Sequence, residues 1–165
     1  MLEDDVLTWD GLCQLEAELA HLKSVKRKQI AVRIREALGF GDSWENPEYA
    51  TAKNEQAFIE GKILTIENIL RKAKIIHQVD PHLKKVELGS WVWVLDLETK
   101  EQSCYRIVGS SEADPAQSKI SHRSPVAQAL LGKVKGEVVK VVAPGGVFAF
   151  QVLDISAEFN PCVRN

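Results

Sequence analysis

Cysteine is scarce in this 165-residue chain, and Cys13, Cys104 and Cys162 stand far apart, without CxxC or His-paired spacing. That rules out a disulfide framework and a cysteine-based metal or redox site, so reduced thiols are expected. The histidines His21, His77, His82 and His122 show neither ligand spacing nor a neighbouring nucleophile. Ser-His-Asp order, a Gly-rich phosphate loop and a zinc signature are also missing. A net charge of −2 lacks the basic excess of a protein that coats nucleic acid, so any such contact should be local. No stretch approaches the roughly 20 apolar residues that span a bilayer. The acidic start Met1-Leu2-Glu3-Asp4-Asp5 has no apolar run behind it, so neither a signal nor a transit peptide is expected, and the expected location is the cytoplasm. With 45% hydrophobic and 27% charged residues, the chain reads as a soluble protein of one domain or two small ones.

What is present is a long helical pattern followed by strands. Thr8 suits an N-cap, with Leu7 before it and Leu12 four residues on, the spacing of a hydrophobic staple. Leu12, Leu15, Leu19 and Leu22 then lay down a narrow apolar seam. Beyond Leu22 the seam changes phase, and Ile30, Ile34 and Ala37 take over after the basic run Lys23 to Lys28. Gly39 and Gly41 end this helix. A second helix follows, with Asn46 as N-cap and Pro47 in its first turn. Tyr49, Ala52, Gln56, Ile59, Ile63, Ile66, Leu70 and Ala73 alternate by threes and fours without a slip. Two helices of similar length joined by a short polar turn predict an antiparallel coiled-coil hairpin, each arm projecting about 40 Å.

Asp80-Pro81 and Leu88-Gly89 mark a linker, which divides the chain into an N-terminal coiled-coil domain (1–79) and a C-terminal domain (80–165). Segments 91–97, 103–109, 137–143 and 147–155 are rich in β-branched and aromatic residues and bounded by turn formers, as strands of a curled antiparallel sheet are. Pro144-Gly145-Gly146 joins the last two strands as a hairpin. One short helix interrupts them, capped by Ser124, started by Pro125 and ended by Gly132. Trp91 and Trp93 alternate with Val92 and Val94 and are expected to pack in the interior. The fold class is α+β.

The helix break holds Gly41-Asp42-Ser43-Trp44-Glu45-Asn46, with Asp42 and Glu45 three residues apart. Acids near a helix start often serve the macrodipole, a gain of about 0.3 to 1 kcal/mol. Here Glu48 and Asn46 already serve that start, and the rod carries the other two acids as far from the rest of the chain as the sequence permits. Carboxylates so placed cannot build their own pocket but can be delivered into another's. Because Mg²⁺ takes oxygen ligands, the pair reads as a probe that completes a partner's metal site. Most of Lys23, Lys26, Arg27, Lys28, Arg33 and Arg35 read as a solvated helix face. Lys53, one turn past Tyr49, is placed to meet a nucleic-acid phosphate near the acids.

The phrases LKSVKRKQI, GDSWENPEYATAKNEQAFIEGKI, ENILRKAKII, YRIVGSSEAD, ISHRSPVAQALLGK and APGGVFAF, in this order, resemble the bacterial Gre family of transcript cleavage factors, on its GreA side. The resemblance runs from Leu7 to Ile155. It implies a coiled coil that enters the secondary channel of RNA polymerase, and an FKBP-like C-terminal domain that docks on the channel rim. It further implies that Asp42 and Glu45 of the GDxxEN pattern help hold a catalytic Mg²⁺ shared with polymerase, which then hydrolyses its own backtracked transcript. The chain would then stimulate an enzyme and not be one. Lys53 is the RNA-contacting residue on this basis, Ser121, Ser124 and Pro125 belong to the polymerase-binding loop, and the chain works as a monomer without a membrane. Ser43 stands where relatives usually carry leucine, Trp44 where they carry a small or polar residue, Leu38 where arginine is frequent, and Arg123 where they show Asn or Asp. The altered tip keeps open an alternative, a channel-binding regulator without cleavage. An FKBP-like half alone would raise prolyl isomerase or chaperone activity, although fold does not carry function.

Overall fold

In the computed structural model residues 6–39, 46–76 and 79–159 are described. Contacts divide the chain into two units, one spanning Asp10–Ala73 and the other combining residues up to Trp9 with those from Lys74 onward.

The first unit is a helical hairpin. Its first arm runs through α1 (Trp9–His21), a single π turn (Leu22–Lys26) and α2 (Arg27–Leu38). Backbone angles stay right-handed helical at both junctions, so the three segments continue one another. The N–H of Arg27 reaches back five residues to the Leu22 carbonyl, which inserts one residue into the helical repeat. That insertion explains the phase change. A heptad continued from Leu19 and Leu22 would bring Lys26 and Gln29 to the seam, but both are exposed, and Ile30 is buried in their stead.

The second arm is α3 (Pro47–Lys72), which buries Ala52, Ile59, Ile63 and Ile66. These residues form one cluster with Leu22 and Ile30, flanked by Leu15, Leu19, Ile34 and Leu70. Lys23 pairs with Glu67, Arg27 with Glu60 and Arg33 with Glu55. As the first partner advances along the chain the second retreats, so the arms are antiparallel. Exposed ion pairs of this kind set register more than they add stability.

The second unit is built on a five-stranded sheet. Four of its strands coincide with the expected ones: β3 (Trp91–Asp96), β4 (Gln102–Val108), β6 (Val138–Ala143) and β7 (Gly146–Ser156). The edge strand β5 (Lys119–Ser121), which follows β4 in the chain, pairs parallel to it and gives the order β5-β4-β3-β7-β6. The other pairings are antiparallel. The short helix α4 (Pro125–Leu130) lays Ala127 and Leu130 against Val92, Val94, Ile107, Val139, Val141 and Val152. Gly132, just past it, adopts φ +78, a left-handed angle that suits glycine. A separate two-stranded pairing joins β1 (Val6–Thr8) in parallel to β2 (Lys74–Ile76). The two places where the chain passes to and from the hairpin are therefore bonded side by side. Strands β1, β2 and β5 span three residues each, too few for an alternation to register in sequence.

Trp91 and Trp93 occupy the sheet face opposite α4. Trp93 is 5% exposed, and Phe159 stands edge-on to Trp91 with ring centroids 4.8 Å apart. Cys104 lies opposite Trp93 in the β3–β4 register, and burial pushes its thiol up to about 11. At neutral pH the thiol keeps its proton and is a poor nucleophile.

Two outcomes follow from the hairpin packing. Ile63→Ala should cost about 2 to 5 kcal/mol in chemical unfolding followed by helical circular dichroism, while Phe58→Ala, at an exposed position of the same helix, should stay within about 0.5 kcal/mol. The hydrogen bond from Arg27 holds the Glu60 carboxyl below its ordinary value of 4.5. A carboxyl depressed on folding adds stability above its unfolded value and loses it as pH falls through the folded one. The melting temperature of the hairpin should therefore fall below about pH 4.5, and Glu60→Gln should flatten that fall.

Candidate functional site at the closed end of the hairpin

Asp42 and Glu45 lie outside the described residues, in the segment between the two helix ends. The structure does describe how those ends are held. Asn46 sits at φ −94 and ψ 106, an extended conformation that the following Pro47 enforces. Its Oδ1 accepts the N–H of Glu48 at 3.0 Å and that of Tyr49 at 3.4 Å, which caps α3 as expected. Its Nδ2 donates to the Ala37 carbonyl of α2 at 2.9 Å, a second task without any local sequence signal. One amide thus caps the start of one arm and satisfies a carbonyl at the end of the other. Ala37 and Ala52 are both buried near this end, where small side chains let the arms approach closely. The two helix ends that flank the segment with the two acids are therefore tied to each other.

Lys53 is exposed two turns beyond the cap, and its Nζ donates to Gln56 Oε1 at 2.8 Å. The bond is intrahelical and at the surface, so the ammonium remains open to solvent and to an anion. The other basic residues divide. Lys23, Arg27 and Arg33 are committed to carboxylates across the hairpin, whereas Lys26, Lys28 and Arg35 have no ion pair among the described residues. Among the described residues no group of three or more His, Cys, Asp or Glu converges as a metal site would require.

The loop leading into α4 is internally braced. Ser121 Oγ lies 3.0 Å from Ser110 Oγ and accepts the N–H of Arg123 at 3.1 Å. Ser124 caps α4, its Oγ accepting the Ala127 N–H at 3.2 Å, and Pro125 takes the first helical position. Both serines therefore shape the loop through their hydroxyls. Arg123 and Pro125 are its exposed members.

Two family models match the chain. Residues 5–75 match the description "Transcription elongation factor, N-terminal", and residues 80–157 match "Transcription elongation factor, GreA/GreB, C-term". The chain belongs to the GreA/GreB family of transcription elongation factors. Within it, the chain is 53% identical over 150 residues to transcription elongation factor GreA of Acetivibrio thermocellus, covering 91% of this chain and 94% of that protein. It is 50% identical over 150 residues to GreA of Thermoanaerobacter pseudethanolicus, covering 91% and 96%. The crystal structure of GreA factor homolog 1 of Thermus thermophilus is 28% identical, covering 93% of this chain and 99% of its own, with a TM-score of 0.43.

The double role of Asn46 separates two substitutions. Asn46→Ala removes the cap and the bridge and should cost about 1 to 2 kcal/mol in chemical unfolding of the hairpin. Asn46→Asp keeps the cap acceptor but has no N–H for Ala37, so its loss should fall between those of wild type and Asn46→Ala.

Proposed function

We propose that this chain is a bacterial transcription elongation factor that inserts its hairpin into the secondary channel of RNA polymerase and stimulates cleavage of a backtracked transcript. The observation that carries the proposal is the closed end of the hairpin. In a GreA/GreB family member, Asn46 ties both helix ends together beneath a connection holding two carboxylates. Asp42 and Glu45 form a hard, anionic oxygen donor set, right in kind for Mg²⁺ and too small in number to bind it firmly alone. They fit a site whose remaining ligands come from polymerase. The metal, when bound, supplies an activated water and steadies the leaving oxygen of phosphodiester hydrolysis.

This chain's own residues contribute position and charge. Asp42 and Glu45 bring acceptor oxygens to the reacting centre and orient a water there by hydrogen bonding. Lys53 faces the phosphates of the displaced RNA 3′ end. The loop bearing Ser121, Ser124 and Pro125 docks at the channel rim. The factor acts as a monomer in the cytoplasm, and the bond-breaking activity belongs to polymerase. Since each 1.36 kcal/mol is about tenfold in rate, adding one or two metal ligands and a positioned water accounts for a large stimulation.

Ser43 and Trp44, which depart from the family pattern at the tip, favour a second reading in which the hairpin occupies the channel and only inhibits. One assay separates the two. Polymerase stalled in a backtracked state should shorten its RNA when the factor and Mg²⁺ are added, and Asp42→Ala or Glu45→Ala should abolish shortening without loss of binding. Slowed nucleotide addition with full-length RNA would establish the inhibitor, and equal cleavage by the double variant would refute the role of the acids.

A further inference from the structure

Within the sheet unit, one stretch of strand edge is open. β5 pairs with β4 only along Arg106–Val108. The Arg106 N–H points outward to the Ser118 carbonyl at 2.9 Å, and because backbone groups alternate along a strand, Cys104 and Gln102 turn theirs the same way. Among the described residues no strand pairs with them on that side. The reason lies in the preceding turn, Pro115–Gln117, and in Ser118 at φ 56, which keep the chain off β4 until Lys119. A cavity of about 630 Å³ lies along the open stretch, lined by Gln102 to Tyr105, Ser118, Trp93 and Phe159. Phe159 reaches it from the far side of β3. β7 ends at Ser156, paired with Trp91, and three residues later the Phe159 ring stands edge-on to Trp91 and stacks on Trp93 at 6.3 Å. The chain is thus crossing the sheet from β7 over β3, and β4 is the next strand. The family match ends at residue 157, so this crossing lies beyond the matched region.

We propose that residues 160–165 continue this crossing as a strap, seated in the cavity and paired with the open edge of β4 at Gln102 and Cys104. The distances suit it. Neighbouring strands lie about 4.8 Å apart, and the three residues from Phe159 to Cys162 span up to about 10 Å. That reach brings Cys162 beside Cys104, which stands opposite Trp93 in the next strand. The composition fits an added edge strand, since Val163 is β-branched and Pro161, lacking an N–H, is tolerated at an edge. Phe159 is 56% exposed on its tryptophan bed and gains cover from the residues that follow it. An open edge is a template for pairing with another chain. The strap closes that edge and shields the Cys104 thiol. Nothing in this proposal depends on the cleavage reading.

The test uses the Cys13→Ser variant, which keeps Cys104 and Cys162 as its only thiols. Copper(II) phenanthroline takes two electrons from a thiol pair as two protons leave, and a disulfide forms where the Cα atoms come within about 7 Å. Most of the protein should become an internally linked monomer, at a rate that dilution leaves unchanged. Linked dimers that disappear on dilution would assign the groove to a second copy, and thiols that stay free would leave the groove without its strap. Either result overturns the proposal. A second measurement needs no oxidant. With Cys13→Ser and Cys162→Ser together, N-ethylmaleimide reads Cys104 alone, and ending the chain at Phe159 should speed that labelling about tenfold. Equal rates in the long and shortened chains would also overturn the proposal. If the shortened chain fails to fold, the cross-link in Cys13→Ser decides by itself.

Discussion

An apolar seam that only an antiparallel partner can bury governs this molecule. Leu22 and Ile30 on one arm, and Ala52, Ile59, Ile63 and Ile66 on the other, form one buried cluster, flanked by Leu15, Leu19, Ile34 and Leu70. Isolated helices gain little from propensity, so tertiary burial of such stripes is what holds each arm helical. Once the stripes meet, the register of the arms is set. Their ends must then come together where Asn46 reaches across to Ala37. The helix ends that flank the segment with the two acids are therefore set by this packing. The π turn is the accommodation that lets an imperfect heptad serve, because it removes one residue's worth of drift and returns Ile30 to the seam.

The proposed work is divided between the two units. The hairpin supplies two helix ends tied by Asn46, while the sheet unit supplies a braced loop with Arg123 and Pro125 exposed. Lys23, Arg27 and Arg33, read in the sequence as part of a solvated helix face, are exposed, and each pairs with a carboxylate of the facing helix. Lys53 keeps an exposed ammonium near the closed end, which is where the proposed chemistry needs a cation.

Much of this was legible in the sequence, for identifiable reasons. The unbroken alternation through Ile59, Ile63 and Ile66 and the Asn46-Pro47 start specify α3 by local rules alone. The long β-branched runs gave β3, β4, β6 and β7, and Ser124-Pro125 gave α4. The seam's change of phase after Leu22 was visible, but its cause was not, since nothing in Leu22–Lys26 marks a π turn over an α turn. Strands β1, β2 and β5 were too short to show a period. The bonds between Thr8 and Glu112 join positions 104 residues apart, so no window of sequence could contain them. At the site, the pattern of Asp42 and Glu45 was plain, whereas the bridge from Asn46 to the opposite helix depends on a register that only packing sets.

The central claim is that the tip carboxylates complete a metal site on another molecule. The most direct measurement is the Mg²⁺ concentration needed for half-maximal RNA shortening by backtracked polymerase, with and without the factor. The account predicts that the factor shifts this midpoint to lower Mg²⁺, and that Asp42→Asn, which keeps the shape but removes the charge, shifts it back. A midpoint that the factor leaves unmoved, with stimulation appearing only as a higher plateau in both proteins, would contradict it.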